Sequence, residues 1–167
     1  CGTCEQCTSG RPVICTNTDV KMAPGQSRRL EWDKPEQIHT FTNLSSFAEQ
    51  MLVHENALVK IQNDMPLDRA ALIGCGVITG FGAAVNTAGV RFGETVAVIG
   101  CGGVGMAAIN GAHVAGAGRI IAVDTNPVKL QLATKLGATD LVNPNDGDPV
   151  ERIMEMTKGG VNHAIEC

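Results

Sequence analysis

The sequence predicts an α/β fold in which a doubly wound parallel sheet, incomplete in this chain, is preceded by part of a β-rich domain. Three observations carry that expectation. From Thr95 onward short apolar runs alternate with segments of helical spacing; the first run leads straight into a glycine-rich turn; and the second ends on an acid, Asp124. Such alternation belongs to buried strands joined by right-handed helical crossovers.

In chain order, residues 1–15 read CGTCEQCTSGRPVIC, with Cys1, Cys4, Cys7 and Cys15 in the pattern C-x2-C-x2-C-x7-C. Four thiolates in a short loop of little apolar content suit a closed tetrahedral zinc site, which is structural because no position is left for water. Two other readings compete. A pair of disulfides conflicts with the reducing compartment expected of a nucleotide-binding unit. An iron–sulfur cluster shares the first two gaps, but the ferredoxin run continues with a gap of three and Cys-Pro; here the last gap is seven and Thr16 follows Cys15. The pattern favours zinc.

Thr16 to Trp32 is polar and irregular, with a turn signal at Pro24-Gly25, and reads as surface loop. Gln37 to Phe41, Ser46 to His54 and Ala57 to Ile61 read as three short strands of an all-β domain. Pro66 and Asp68 introduce a helix, with Asp68 as N-cap of Arg69 to Ile73. Gly74 to Gly80 then leads into a second helical stretch, Phe81 to Ala88. Within this region Cys75, judged on composition alone, is a small hydrophobe in an apolar helical run.

Val96 to Ile99 is a buried strand running into Gly100-Cys101-Gly102-Gly103-Val104-Gly105, which fits G-x-G-x-x-G. Gly100 permits the tight turn, Gly102 lets the backbone approach a pyrophosphate, and Gly105 lets the next helix pack on the sheet. The helix amides and dipole then face the phosphates. Gly100, Gly102, Gly103 and Gly105 are therefore candidate cofactor contacts in a Rossmann-type unit. After a helix comes a second strand, Arg119 to Val123, and Asp124 stands where an acid meets the ribose hydroxyls. A carboxylate there favours NAD over NADP, whose extra phosphate it repels, and Thr125, Asn126 and Pro127 offer no arginine to reverse the preference. The ordered series of strand, turn, helix, strand and acid separates this unit from a glycine turn that serves packing alone.

Beyond Asp124, Pro127 to Leu136 reads as a helix ended by Gly137, Thr139 to Val142 as a strand, Pro149 to Thr157 as a helix stopped by Gly159-Gly160, and Val161 to Ile165 as the start of a fourth strand.

Composition limits the partners. With 44% apolar residues in 167 the chain has enough for a globular core, and a net charge of −4 without a basic block gives no footprint for a phosphate backbone. One Trp, no Tyr and four Phe provide no stacking platform for single-stranded nucleic acid. Ala70 to Val90 and Thr95 to Gly118 are uncharged and long enough to cross a membrane. Repeated glycines with Thr and Asn place both instead between the layers of an α/β domain. The chain starts at Cys1 and stops just after a strand has begun, so it is expected to be an internal piece of a longer cytoplasmic protein.

Together these residues resemble the zinc-dependent medium-chain alcohol dehydrogenase family. The resemblance rests on the four-cysteine lobe, on GCGVITGFGAAVNTA at 74–88, on the GCGGVG turn, on Val123-Asp124 and on LGATD at 136–140. It implies that residues 1–75 are part of a GroES-like catalytic domain with the structural zinc lobe at 1–15, and that 76–167 are part of an NAD-binding Rossmann domain. It also implies that Cys75 ligates a catalytic zinc whose other ligands, a cysteine and a histidine, lie upstream of this sequence. Thr79 and Val104 are then expected to line the nicotinamide, and Lys129 to join Asp124 at the adenosine ribose. The implied activity is NAD-linked interconversion of an alcohol and an aldehyde or ketone in a homo-oligomeric parent that binds neither nucleic acid nor membrane.

Residues 74–105 are most similar to the glutathione-dependent formaldehyde dehydrogenase branch of the family, which carries an arginine where this chain has Asp19. An acid there repels a glutathione carboxylate, so a general primary or aromatic alcohol is the expected substrate. A glutathione adduct or a polyol, and a non-catalytic zinc-stabilised nucleotide-binding protein, are the alternatives. His39, His54, His113 and His163 lack ligand-like spacing and are expected at the surface or in packing. Cys101 fills a variable position of the turn where a small residue suffices.

Overall fold

The computed structural model describes residues 1–16, 47, 49–51, 53, 55 and 58–167. They fall into two units, Cys1–Asn63 and Asp64–Cys167. In the first, the cysteine lobe is built from one helical turn, α1 (Glu5–Thr8), and a 3-10 turn, Pro12–Ile14, with proline in its first turn. The strand expected at 37–41 and almost all of the loop at 16–32 lie outside the described residues. Of the strands expected at 46–54 and 57–61, the described residues 47, 49–51, 53 and 58–61 take no strand conformation. A strand exists only as half of a ladder, and no ladder partner for them occurs among the described residues.

The second unit opens with a 22-residue helix, α2 (Leu67–Ala88). Two expectations are corrected here. The helix begins at Leu67 behind Pro66, with no side-chain cap, so Asp68 lies in the first turn, where it complements the dipole instead of capping. The glycines at 74, 76 and 80 also do not divide it: the backbone continues through a π segment (Ile73–Val77), an α segment (Ile78–Gly82) and a second π segment (Ala83–Ala88). Packing against a neighbouring helix outweighs the propensity cost of about 1 kcal/mol per glycine. By length and composition alone α2 could cross a membrane, and the expectation that Ala70 to Val90 is buried between layers is not met: only 11% of its most apolar window is buried, with Leu72, Ile73, Val77 and Ile78 exposed. The other uncharged stretch, 95–118, cannot do so as one helix, because it folds as a strand followed by a helix.

Four parallel strands follow: β1 (Thr95–Ile99), β2 (Arg119–Val123), β3 (Asp140–Val142) and β4 (His163–Glu166), in the order β3-β2-β1-β4. They alternate with α3 (Gly103–Val114), α4 (Pro127–Lys135), a 3-10 turn (Pro144–Asp146) and α5 (Pro149–Thr157). Asn126 caps α4 by accepting the Val128 amide at 2.9 Å, and Asp148 caps α5 by accepting the Val150 amide at 2.7 Å.

The two-residue period of a strand sends successive side chains to opposite faces. Val96, Val98, Ile120, Ala122 and Ile165 pack with Ala108 and Ile109 of α3 and Leu130 and Ala133 of α4. Ala97, Ile121, Val123 and Val142 pack with Ile153 and Met156 of α5. Helices thus cover both faces, as the sequence predicts for a doubly wound sheet. Ile109, Ile120 and Ile121 are among the largest fully buried side chains, each contributing about 1.5–3 kcal/mol by leaving water.

One polar clamp closes the edge opposite the glycine turn. Arg119 Nε and Nη2 each donate to Asp140 at 2.8 Å, and Nη1 donates to the Met156 carbonyl, so β2, β3 and α5 meet at a single guanidinium. Arg119 holds the Asp140 carboxyl below its usual range, with Thr139 adding to the effect against burial. A carboxyl lowered in the fold stabilises it above the unfolded value of about 3.9 and ceases to do so as pH falls through the lower folded value. Asp140→Asn is therefore expected to cost about 1 kcal/mol at neutral pH, a figure kept small because the pair is partly exposed. Urea unfolding curves of variant and parent should converge as the pH falls below about 3.9 and through the lower folded value.

Candidate functional site

The register of β1 and β2 pairs Ile99 with Val123, so Gly100 and Asp124 leave the sheet side by side. Gly100 has a φ of 90°, and its amide donates to the Val123 carbonyl at 2.8 Å. Cys101 then turns inward, 1% exposed, and its amide donates to Asp124 Oδ2 at 2.8 Å. The other oxygen, Oδ1, accepts the Asn126 amide at 2.8 Å, while Lys129 Nζ stands 3.5 Å from Oδ2.

These contacts decide the charge of the site. The Asn126 amide, helped by the Cys101 amide and Lys129 and opposed by burial, holds the Asp124 carboxyl below its usual range, so it is ionised at neutral pH. Burial, with the Asp124 charge nearby, pushes the Cys101 thiol up to about 11. Cys101 is therefore a neutral, packed side chain whose backbone matters, a role the sequence reading missed. Only the pairing of two strands distant in sequence brings its amide to the acid.

Past Cys101 the chain is open. Gly102 and Gly103 are exposed, and a Cβ at either would meet nothing within 4 Å. The amides of Gly102, Gly103 and Val104 have no acceptor among the described residues. They form the positive end of α3, an anion cradle on general grounds. Gly105 is buried, and a Cβ there would overlap the Gly100 carbonyl, so α3 reaches the turn only with glycine at that position. Free amides beside an ionised carboxylate can receive a diphosphate and a diol together, and the residues present therefore fit a dinucleotide.

Cys75 and Thr79 lie on α2 and both are exposed. The two residues are about one helical turn apart, on a helix that packs against α3. Val104 is half-buried.

In the lobe the four sulfurs lie within 4.8 Å of one another, with Cys1–Cys7 at 3.9 Å, Cys4–Cys15 at 3.8 Å and Cys1–Cys15 at 3.5 Å. Thiolates bound to one tetrahedral zinc at about 2.3 Å stand roughly 3.8 Å apart, whereas disulfide sulfurs are about 2.05 Å apart. All seven cysteines are free, so the disulfide alternative does not hold, and the donor set fits a single ion. The amides of Thr16 and Cys7 bring the Cys4 thiol down to about 6. Against the pull of the Gly2 amide, burial and the Cys4 and Cys15 sulfurs push Cys7 up.

Of the histidines, His163 on β4 pairs with Glu94 at 2.8 Å and His113 on α3 abuts Gly137; His39 and His54 lie outside the described residues. A hollow of about 430 Å³ beyond β3 was not foreseen from the sequence. Asp146, Asp148, Glu151 and Glu155 line it with a single cation, Arg152, a net negative charge that repels phosphate.

Residues 103–167 match the family model described as zinc-binding dehydrogenase. The whole chain is 45% identical to an S-(hydroxymethyl)glutathione dehydrogenase of Photobacterium damsela subsp. piscicida and 43% identical to alcohol dehydrogenase 2 of Oryza sativa subsp. japonica, covering 47% and 46% of their lengths. Among solved structures, an alcohol dehydrogenase zinc-binding domain protein of Burkholderia ambifaria superposes with a TM-score of 0.86 at 41% identity. The benzyl alcohol dehydrogenase of Acinetobacter calcoaceticus superposes at 0.80 and 38% identity; 99% of this chain and 46% of the other are covered in both cases. The chain spans about half the length of the curated relatives it matches.

The metal-free lobe makes a direct prediction. At pH 7 Cys4 is largely thiolate and should be the first lobe cysteine alkylated by iodoacetamide, ahead of Cys7 and of the buried Cys15, as read by peptide mass spectrometry. Loading zinc should protect all four.

Proposed function

We propose, from the premise that the chain belongs to the zinc-dependent medium-chain alcohol dehydrogenase family, that its parent is an NAD-linked enzyme interconverting a primary or aromatic alcohol and its carbonyl compound. The observation that carries the proposal is the open glycine turn beside an ionised, amide-anchored Asp124. Gly100, Gly102, Gly103, Val104 and Gly105 shape the diphosphate cradle. Asp124 accepts the ribose hydroxyls and Lys129 supports it.

Cys1, Cys4, Cys7 and Cys15 would hold a structural zinc, and the exposed Cys75 would supply one ligand to a catalytic zinc. When bound, that zinc supplies a Lewis acid for the alcohol oxygen and NAD supplies the hydride acceptor. Thr79 and Val104 would border the nicotinamide. We assign residues 1–75 to the GroES-like catalytic part and 76–167 to the NAD-binding part; α2 crosses that boundary and carries the metal ligand into the sheet unit. The parent is read as a cytoplasmic homo-oligomer with a small-molecule substrate, and without nucleic acid or membrane as partner.

The relatives' names support two substrate classes, a glutathione adduct and a plain or aromatic alcohol. The acid at Asp19 favours the second. Relative rates of the full-length protein on benzyl alcohol, S-(hydroxymethyl)glutathione and a polyol decide between them, and benzyl alcohol should be fastest.

In the zinc-loaded parent, absorbance of reduced nicotinamide should grow with NAD and a primary alcohol; no growth on any alcohol rejects the proposal in favour of a nucleotide-binding protein without turnover. Calorimetry should show NAD much tighter than NADP. Asp124→Ala should weaken NAD by at least about tenfold, because a charge-assisted contact worth about 1.5–3 kcal/mol is lost. The 167-residue segment alone should show no turnover.

A further inference from the structure

The crossing of α2 over α3 is made at backbone distance. Gly80 is buried, and a Cβ there would overlap the Val104 carbonyl oxygen and lie 2.8 Å from both the Ala107 Cβ and the Ala108 amide nitrogen. Further along α3 the relation is reversed: a Cβ at Gly111 would lie 3.0 Å from the Phe81 carbonyl oxygen and 3.2 Å from the Ala84 Cβ. Ala84, Ala108 and Ala112 around the crossing are fully buried. The atoms nearest the would-be Cβ at each glycine are backbone atoms or alanine methyls, none of them the end of a flexible side chain, so at these two points the separation is set by the backbones.

A second observation concerns the winding of α2. The α segment Ile78–Gly82, which contains Gly80, is flanked by the two π segments Ile73–Val77 and Ala83–Ala88. A π turn re-aims the side chains it carries and is frequent at functional sites. Cys75 lies in the first π segment with its side chain at the surface, and Thr79 immediately precedes Gly80. On the other side, the carbonyl that Gly80 abuts belongs to Val104, in the glycine turn. The crossing therefore joins the metal-ligand helix to the cofactor turn at one point.

We propose that Gly80 is a positioning residue whose contact with the Val104 carbonyl sets the distance from Cys75 and Thr79 to the turn that cradles the dinucleotide. The proposal rests on the dehydrogenase reading above. Hydride transfer needs the reacting atoms about 3–3.5 Å apart, and a displacement of about 1 Å costs on the order of 100-fold in rate. A methyl group at Gly80 forces the helices apart by a displacement of that order, while Asp124, Asn126 and Lys129 keep their own contacts in the second strand and its helix.

The test uses the full-length zinc-loaded enzyme, with wild-type turnover measured first. Gly80→Ala is expected to lower the single-turnover hydride-transfer rate by roughly 30- to 100-fold, with the NAD Kd by calorimetry and the alcohol KM changed by less than about threefold. Gly111→Ala, whose contacts are tight without overlap, should give a smaller loss in the same step. Melting temperatures that fall while the rate per folded molecule stays at the wild-type value overturn the proposal, as does an NAD Kd that rises in step with the lost rate. Should Gly80→Ala not fold, Gly111→Ala decides: a hydride-transfer rate within twofold of wild type overturns the idea. Wild-type enzyme that reduces no NAD overturns the dehydrogenase reading and this proposal with it, a result distinct from active wild type with unaffected variants.

Discussion

The parallel pairing of β1 with β2, from Thr95 opposite Arg119 to Ile99 opposite Val123, is the constraint on which the rest of the sheet unit depends. It makes Gly100 and Asp124 neighbours although 23 residues separate Cys101 from the acid it touches. The Cys101 amide then donates to the carboxylate, and the turn is held open by the group that gives it chemical character. A shift of one residue in that register would turn every strand side chain to the other face and remove the acid from the turn. The burial of Val96, Val98, Ile120 and Ala122 on one side and of Ala97, Ile121 and Val123 on the other protects against it.

Around this pairing the molecule uses small residues where elements must approach closely and polar clamps where edges must be tied. Gly105 lets α3 reach the turn, and Gly80 and Gly111 let α2 reach α3. At the other end, Arg119 ties the two neighbouring strands to α5. The end with the glycine turn leaves the amides of Gly102, Gly103 and Val104 without an acceptor among the described residues, and the other end pairs Arg119 with Asp140 internally, a distribution expected of an α/β sheet that binds at the carboxyl ends of its strands.

The cysteine lobe follows different physics. It has little apolar content, Cys15 is its only buried residue, and Val13 and Ile14 are exposed. Its order comes from short turns that bring four sulfurs within a single coordination sphere. With so little core, a metal held by those four sulfurs would supply folding energy that burial does not.

Much of this was readable in the residues themselves. The strand–turn–helix–strand–acid series, the C-x2-C-x2-C-x7-C spacing, the Pro127 and Pro149 helix starts and the Gly137 stop are local patterns, and local sterics and periodicity are sufficient to specify them. The continuity of α2 was not readable: four glycines, at 74, 76, 80 and 82, argue locally for a break, and packing on α3 outweighs them. The exposure of Cys75, the tie between Cys101 and Asp124, and the meeting of Gly80 with Val104 were equally hidden, since each joins positions apart in sequence or depends on which face of a helix finds a partner. Sequence alone determined the elements and the chemistry each could offer. Tertiary structure alone decided which of those groups share a site, because register and helix crossing are set by the collective burial of apolar faces, which no single segment contains.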